Sequence, residues 1–99
     1  MKHGLEEHFD QFGSLTFSCN WVHDQKDGLE TWHKKKTLLY VIVWVCGQKH
    51  GLEKRFNEDN YLLFIRYWLN GKQNGIEEYF NSDGTTKEIY FWQDGKQGV

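Results

Sequence analysis

Lys49-His50-Gly51-Leu52-Glu53 recurs as Lys2-His3-Gly4-Leu5-Glu6, as Lys26-Asp27-Gly28-Leu29-Glu30 and as Gln73-Asn74-Gly75-Ile76-Glu77, and a fifth copy opens at Gln97-Gly98-Val99. Successive phrase glycines stand 24, 23, 24 and 23 residues apart. Trp21, Trp44, Trp68 and Trp92 keep the same beat. Two independent markers in phase identify a repeat protein, in which each unit buries its apolar surface only by stacking on its neighbours. The repeats occupy about 2–25, 26–48, 49–72 and 73–96, with a partial copy at 97–99, in a single domain of 99 residues.

Within a repeat, an apolar residue follows the glycine directly, then a glutamate, then Phe9, His33, Phe56 or Phe80 at the fifth place. Apolar residues at alternate positions give the period of two that marks a strand. Polar turns come next, at 10–13, 34–36, 57–60 and 81–84. Asn, Asp and Gly supply the positive φ that hairpin bends require. A longer strand then runs to each tryptophan, over Leu15–Trp21, Leu38–Trp44, Tyr61–Trp68 and Thr86–Trp92. Asn70-Gly71-Lys72 and Asp94-Gly95-Lys96 are hairpin signals in their own right. The pattern predicts an all-β fold, an open single-layer antiparallel meander of four β-hairpins forming a twisted ribbon. At ~4.8 Å per strand, eight strands make a sheet roughly 35–40 Å across. The second repeat is one residue short, and Lys34–Lys36 is the place expected to absorb the loss, since a slip inside a strand would turn every later side chain over.

Composition narrows the function. A net charge of −2 argues against a dedicated nucleic-acid binder, which carries a basic face. Lys34-Lys35-Lys36 is read as a solvated hairpin tip. The longest apolar run, Leu38–Cys46, is too short to span a bilayer, and no leader pattern opens the chain. Cys19 and Cys46 have no metal or redox spacing, which suits a cytoplasmic protein with reduced thiols. Glu6, Glu30, Glu53 and Glu77 recur once per repeat, ~10 Å apart along the sheet, too far to share a proton or a metal ion. Lysines or turn amides of neighbouring hairpins are their expected partners. His3, His8, His23, His33 and His50 show no ligand spacing. Cys19 and His23 lack a third member for nucleophilic chemistry. The expectation is a protein with no catalytic residues, no metal and no cofactor.

The faces of the long strands carry the functional signal. One face holds Leu15, Phe17, Cys19, Trp21, then Leu38, Tyr40, Ile42, Trp44, then Leu62, Phe64, Arg66, Trp68, then Tyr90 and Trp92, and reads as the packed side. The other face is polar in repeat 1, with Thr16, Ser18 and Asn20. It becomes apolar further on, with Leu39, Val41, Val43 and Val45, then Leu63, Ile65, Tyr67 and Leu69, then Ile89 and Phe91. Such a patch exceeds what soluble monomers leave bare. Burying ~600 Å² of it would be worth on the order of 15 kcal/mol gross, before association costs. The residues expected at an interface are therefore Leu39, Val41, Val43, Val45, Leu63, Ile65, Tyr67, Leu69 and Phe91, in a homodimer or against another protein. Trp32, which departs from His8, Arg55 and Tyr79 at the equivalent place, is the expected anchor for a partner.

The phrase Lys49-His50-Gly51-Leu52-Glu53 with Phe56 and Asn70-Gly71-Lys72, and again Gln73-Asn74-Gly75-Ile76-Glu77 with Tyr79-Phe80 and Asp94-Gly95-Lys96, resembles the MORN repeat over the whole chain. More narrowly it is similar to the bacterial variant found in YwqK-type antitoxin-like proteins. The resemblance implies an open sheet of successive hairpins. It also implies protein binding, with scaffolding, dimerisation and lipid association in the wider family and neutralisation of a toxin enzyme in the variant. The function expected is a small antitoxin-like or phage-type inhibitor, from a bacterium or phage, that occludes a partner enzyme such as a toxin or nuclease. Alternatives are a membrane-associated scaffold and a regulator of a host-defence nuclease. Membrane and nucleic acid are not expected as direct ligands.

Overall fold

In the computed structural model, residues 2–98 are described. The strands are β1 (Gly4–Phe9), β2 (Leu15–Val22), β3 (Gln25–Lys26), β4 (Gly28–Lys34), β5 (Thr37–Val45), β6 (Gln48–Phe56), β7 (Leu62–Leu69), β8 (Lys72–Phe80), β9 (Thr86–Gln93) and β10 (Lys96–Gln97). They form one open antiparallel sheet in the order β1-β2-β4-β5-β6-β7-β8-β9-β10, with β3 also beside β2. No helix is present among the described residues, and so none long and apolar enough to cross a membrane. The Cα trace measures 43 × 33 × 11 Å, the shape of a single twisted layer. The expected meander of hairpins is the fold.

Turn chemistry sets the hairpins. In repeats 1 and 3 the first turn holds five residues and is nucleated by its first side chain. Asp10 Oδ1 accepts the amides of Phe12 and Ser14 at 2.9 and 3.0 Å, and Asn57 Oδ1 accepts those of Asp59 and Tyr61 at 2.9 and 3.0 Å. In repeat 2 only Lys35 and Lys36 bridge the strands, at φ of 50° and 68°. Two successive positive φ values make the tight primed turn whose twist suits a hairpin. The shorter repeat thus loses its residue in the turn. The bends between repeats are of the same kind: Asn70-Gly71 and Asp94-Gly95 in the expected chemistry, but also Cys46-Gly47 and His23-Asp24, all at positive φ.

Two irregularities per repeat control which way side chains face. The phrase glycines Gly4, Gly28, Gly51 and Gly75 hold φ of 98–108°, which side-chain-bearing residues rarely adopt. Further along each hairpin a β-bulge leaves Thr16, Leu39, Leu63 or Lys87 without a ladder partner. The bulge breaks the alternation. Leu15, Leu38 and Leu62 pair instead with Phe9, His33 and Phe56, so they leave the tryptophan-bearing row in which strict alternation would put them. At the C-terminal end, Gly98 donates its N–H to the Phe91 carbonyl, as Asp27 does to that of Asn20. Gly98 therefore stands where Asp27 does, one place before the phrase glycine. Val99, part of the fifth copy in the sequence, lies outside the described residues.

Among the described residues the buried apolar side chains are few: Phe17, Cys19 and Ile42. Glu30, Glu53 and Glu77 are buried with them. A single layer has no second sheet to pack against, and the total accessible surface of 6717 Å² reflects this. A compact monomer of 11.9 kDa exposes about 5,900 Å².

Candidate interaction surface

One face of the sheet is organised around the repeat glutamates. Ladder pairing sets Glu6 opposite Cys19, Glu30 opposite Ile42, Glu53 between Ile42 and Arg66, and Glu77 between Arg66 and Tyr90. Two places along the partner strand stands the tryptophan of the same hairpin, within reach of a diagonal contact. Its indole N–H donates to the carboxylate each time: Trp21 to Glu6 at 2.8 Å, Trp44 to Glu30 at 2.8 Å, Trp68 to Glu53 at 2.8 Å and Trp92 to Glu77 at 2.9 Å. A cation completes each clamp. Lys26 Nζ lies 2.9 Å from Glu30 and 5.2 Å from the centre of the Trp44 ring. Lys2 and Lys49 repeat the arrangement with longer ion pairs, 3.4 and 3.9 Å from Glu6 and Glu53, and lie 4.6 and 4.7 Å from the rings of Trp21 and Trp68.

The fourth repeat has Gln73 where the others have lysine. Arg66, on β7, supplies the charge instead, its Nε donating to Glu77 at 2.6 Å and its Nη1 lying 3.6 Å from Glu53. Gln73 Oε1 is left buried without a hydrogen-bond partner. Tyr40 donates to Glu53 and Tyr79 to Glu77. The sequence pointed to lysines as the glutamates' partners; the turn amides do not take that role, and the indoles, the more regular donors, gave no local signal. They sit 14 or 15 residues from their acceptors and meet them only through strand register.

The electrostatics follow from these contacts. The donors His8 and Trp21 hold the Glu6 carboxyl down at about 2. Burial is the largest influence on Glu30 and Glu77 and pushes both up. The combined donors, Lys26, Trp32 and Trp44 in one case and Tyr79, Arg66 and Trp92 in the other, outweigh it and leave both lowered. Burial, with Glu6 and Glu30 nearby, raises the Cys19 thiol. Among the described residues no group of three or more His, Cys, Asp or Glu side chains converges on a metal position.

Trp32 belongs to this face. It is 46% exposed, yet its indole N–H donates to Glu30 at 2.6 Å and its ring meets Phe17 edge-on at 4.5 Å between centroids. It is thus part of the glutamate clamp and stands apart from the other nine residues expected at an interface. Those nine share the opposite face. Val45, Leu63, Tyr67, Leu69 and Phe91 are exposed, and Leu39, Val41, Val43 and Ile65 are half-buried. The structure adds Leu5, Leu29 and Ile76, also exposed, and Leu52, half-buried, from the position just after each phrase glycine. Ladder pairs join Leu29 to Val43, Leu52 to Tyr67 and Ile76 to Phe91. Sequence reading compared only the long strands, and so left these four out. Lys54 and Glu78 stand within the patch as well, on either side of Ile65.

No protein-family profile matches the chain, and no curated protein matches it in sequence. Solved structures share its fold. A TarM mutant from S. aureus, crystallised with Fondaparinux, alpha-GlcNAc-glycerol and UDP, superposes on 95% of this chain with a TM-score of 0.55 and 16% identity. A second TarM structure covers 98% of it with a TM-score of 0.53 and 16% identity. The superposed part is 19% of the TarM chain in both cases, so this chain spans about a fifth of the length of those it resembles.

Proposed function

We infer that the chain is a non-enzymatic protein-binding module whose apolar face is covered by protein in the working molecule. One observation carries the reading. Leu29, Tyr67, Ile76 and Phe91 lie exposed on one side of a layer that, among the described residues, has no second layer behind it. Soluble chains rarely leave such a surface bare. The other face supports the reading by making the sheet stiff, because each carboxylate ties two strands through an indole and a cation. A stiff, flat surface suits steric occlusion of a partner, the role implied by the resemblance to antitoxin-like proteins. TarM, where the same fold is about a fifth of a longer chain, is an example of such a sheet serving as part of a larger body. On this reading the partner is a toxin, nuclease or other enzyme of the cytoplasm, and half-exposed Trp32 is available to it from the clamp side.

Val43→Glu tests the reading. Val43 pairs with Leu29 within the patch, on the face opposite the glutamate clamps. Light scattering and sedimentation of the chain purified from its own cells should show a larger assembly for the native protein than for the variant, with equal β content by circular dichroism. A native chain of monomeric mass whose assembly Val43→Glu leaves unchanged rejects the reading.

A further inference from the structure

One row across the apolar face carries a charge pattern that is complementary to itself; Lys72, paired with Leu69 at the end of β7, stands outside that row. Ladder pairs run from Val41 to Lys54, from Lys54 to Ile65, from Ile65 to Glu78 and from Glu78 to Ile89. Directly paired residues share a face, so these five side chains stand in one row across β5 to β9. Outward from Ile65 the row reads cation then aliphatic on one side, and anion then aliphatic on the other. Lys54 and Glu78 make no ion pair among the described residues; the Glu78 carboxylate accepts only the Thr86 hydroxyl. The neighbouring row has the same symmetry, with Tyr67 in the middle, Leu52 on β6 and Ile76 on β8.

Resting on the reading that this face is covered by protein, we propose that its occupant is a second copy of the chain, docked face to face about a two-fold axis that runs along β7 through Ile65. A half-turn about that axis exchanges the two arms of the row. Lys54 of each copy then meets Glu78 of the other, Val41 meets Ile89, and Leu52 meets Ile76. A half-turn about the crosswise axis would instead set Lys54 against Lys54 and Glu78 against Glu78, an arrangement that like-charge repulsion disfavours. Such isologous pairing is the commonest way identical chains associate. Strands related by the proposed axis run aligned, the arrangement that two packed sheets adopt.

The extent of the overlap fits. Centred on β7, it takes in β5 to β9, where the face is apolar. It leaves out β2, where Ser18 stands on the same face, paired with Thr31, which pairs in turn with Val41. Five strands of about eight residues cover about 600 Å² on each copy by strand spacing and rise. The pair then buries about 1,200 Å², the lower bound of stable interfaces.

Charge reversal tests the geometry. Lys54→Glu and Glu78→Lys should each raise the dissociation constant of the dimer at least tenfold by sedimentation. Mixing the two singly reversed chains should restore a dimer, because every cross pair is then opposite in sign. The doubly reversed chain should dimerise as the native one does. Circular dichroism checks that each variant remains folded, and since Glu78→Lys also removes the Thr86 contact, Lys54→Glu is the cleaner single. A native monomer or trimer overturns the proposal, as do single reversals that leave the dimer intact or a mixture that fails to pair. If Val43→Glu breaks the assembly while the reversals do not, the face is covered but the axis is wrong. If Val43→Glu does nothing either, the underlying reading fails with it.

Discussion

Glu53 and Tyr67 belong to neighbouring strands of one hairpin and face opposite ways. Glu53 is 2% exposed and takes its hydrogen bonds from Tyr40 and Trp68, with Arg66 alongside. Tyr67 is 40% exposed and lies beside Leu52. The same strands therefore carry one face that completes its own polar and aromatic contacts and one that ends in apolar side chains facing outward. A single layer cannot cover both sides from within. The clamp face holds the sheet's own polar and aromatic contacts, and the other face is the one proposed to bind. Substitutions on the two faces should accordingly separate stability from association.

The sharpest break is Glu53→Leu. It leaves the Tyr40 hydroxyl and the Trp68 indole N–H without their acceptor, and Arg66 with Glu77 as its one carboxylate. A hydrogen bond to a charged group is worth about 1.5–3 kcal/mol, so the two lost here amount to about 3–6 kcal/mol, a large share of what a domain of this size has. Urea denaturation should show the loss as a lower midpoint, and complete unfolding in buffer is within the expected range. Val43→Glu, on the other face, should leave the midpoint of dilute, dissociated protein nearly unchanged. Equal losses from the two changes would erase the distinction between the faces.

Acid should weaken the clamp face selectively. Glu6, Glu30 and Glu77 are lowered on folding from the ordinary 4.5, Glu6 to about 2. A carboxyl with a depressed folded value contributes its full stability above the unfolded value and loses it as pH falls through the folded one. The melting temperature should therefore hold from about pH 7 to about pH 5 and fall between about pH 4.5 and about pH 2. A melting temperature that rises on acidification would contradict the clamp. Lys54 and Glu78 invite a parallel measurement, because salt screening of the cross pairs proposed for them should weaken association without moving the melting temperature of the monomer.

Much of this architecture was legible in the chain itself, and the illegible part has a definite cause. The interval between phrase glycines and the tryptophan beat carry the meander, because local alternation and turn chemistry are encoded within a few residues. The one-residue deficit of repeat 2 is recovered at Lys35-Lys36 for the same reason. Nine of the ten interface candidates share a face because strict alternation holds between the bulges. Leu15, Leu38 and Leu62 defeat that rule, since each stands just before a bulged residue, which only the pairing with Phe9, His33 and Phe56 exposes. Trp32 was read from its departure from His8, Arg55 and Tyr79. Its tie to Glu30 depends on side-chain geometry within the strand, which residue type alone does not determine.

Trp32→Ala measures that tie. It removes a donor to a buried carboxylate, a hydrogen bond to a charged group worth about 1.5–3 kcal/mol, while Lys26 and Trp44 remain to hold Glu30. A loss of about 2 kcal/mol is expected from the denaturation midpoint. Trp32→Phe should recover the packing on Phe17 and not the hydrogen bond. An unchanged midpoint in both would return Trp32 to the role of a free anchor for a partner.

Gly75→Ala is the smallest of these effects and the one that joins the two faces. Gly75 holds φ +108°, and a Cβ placed there would lie 3.3 Å from Tyr67 Cβ. Gly84 holds φ +88° with nothing within 4 Å. Both substitutions impose backbone strain, of order 1 kcal/mol or somewhat more. Only Gly75→Ala also crowds Tyr67, at the centre of the apolar face. Thermal melts should therefore show similar modest losses for the two variants when dilute. At concentrations where the native chain associates, Gly75→Ala should fall further behind, because Tyr67 is moved from the position in which its face meets its counterpart. Matching behaviour at every concentration would mean that Tyr67 has no part in association, and that the apolar face is used, if at all, through its other strands.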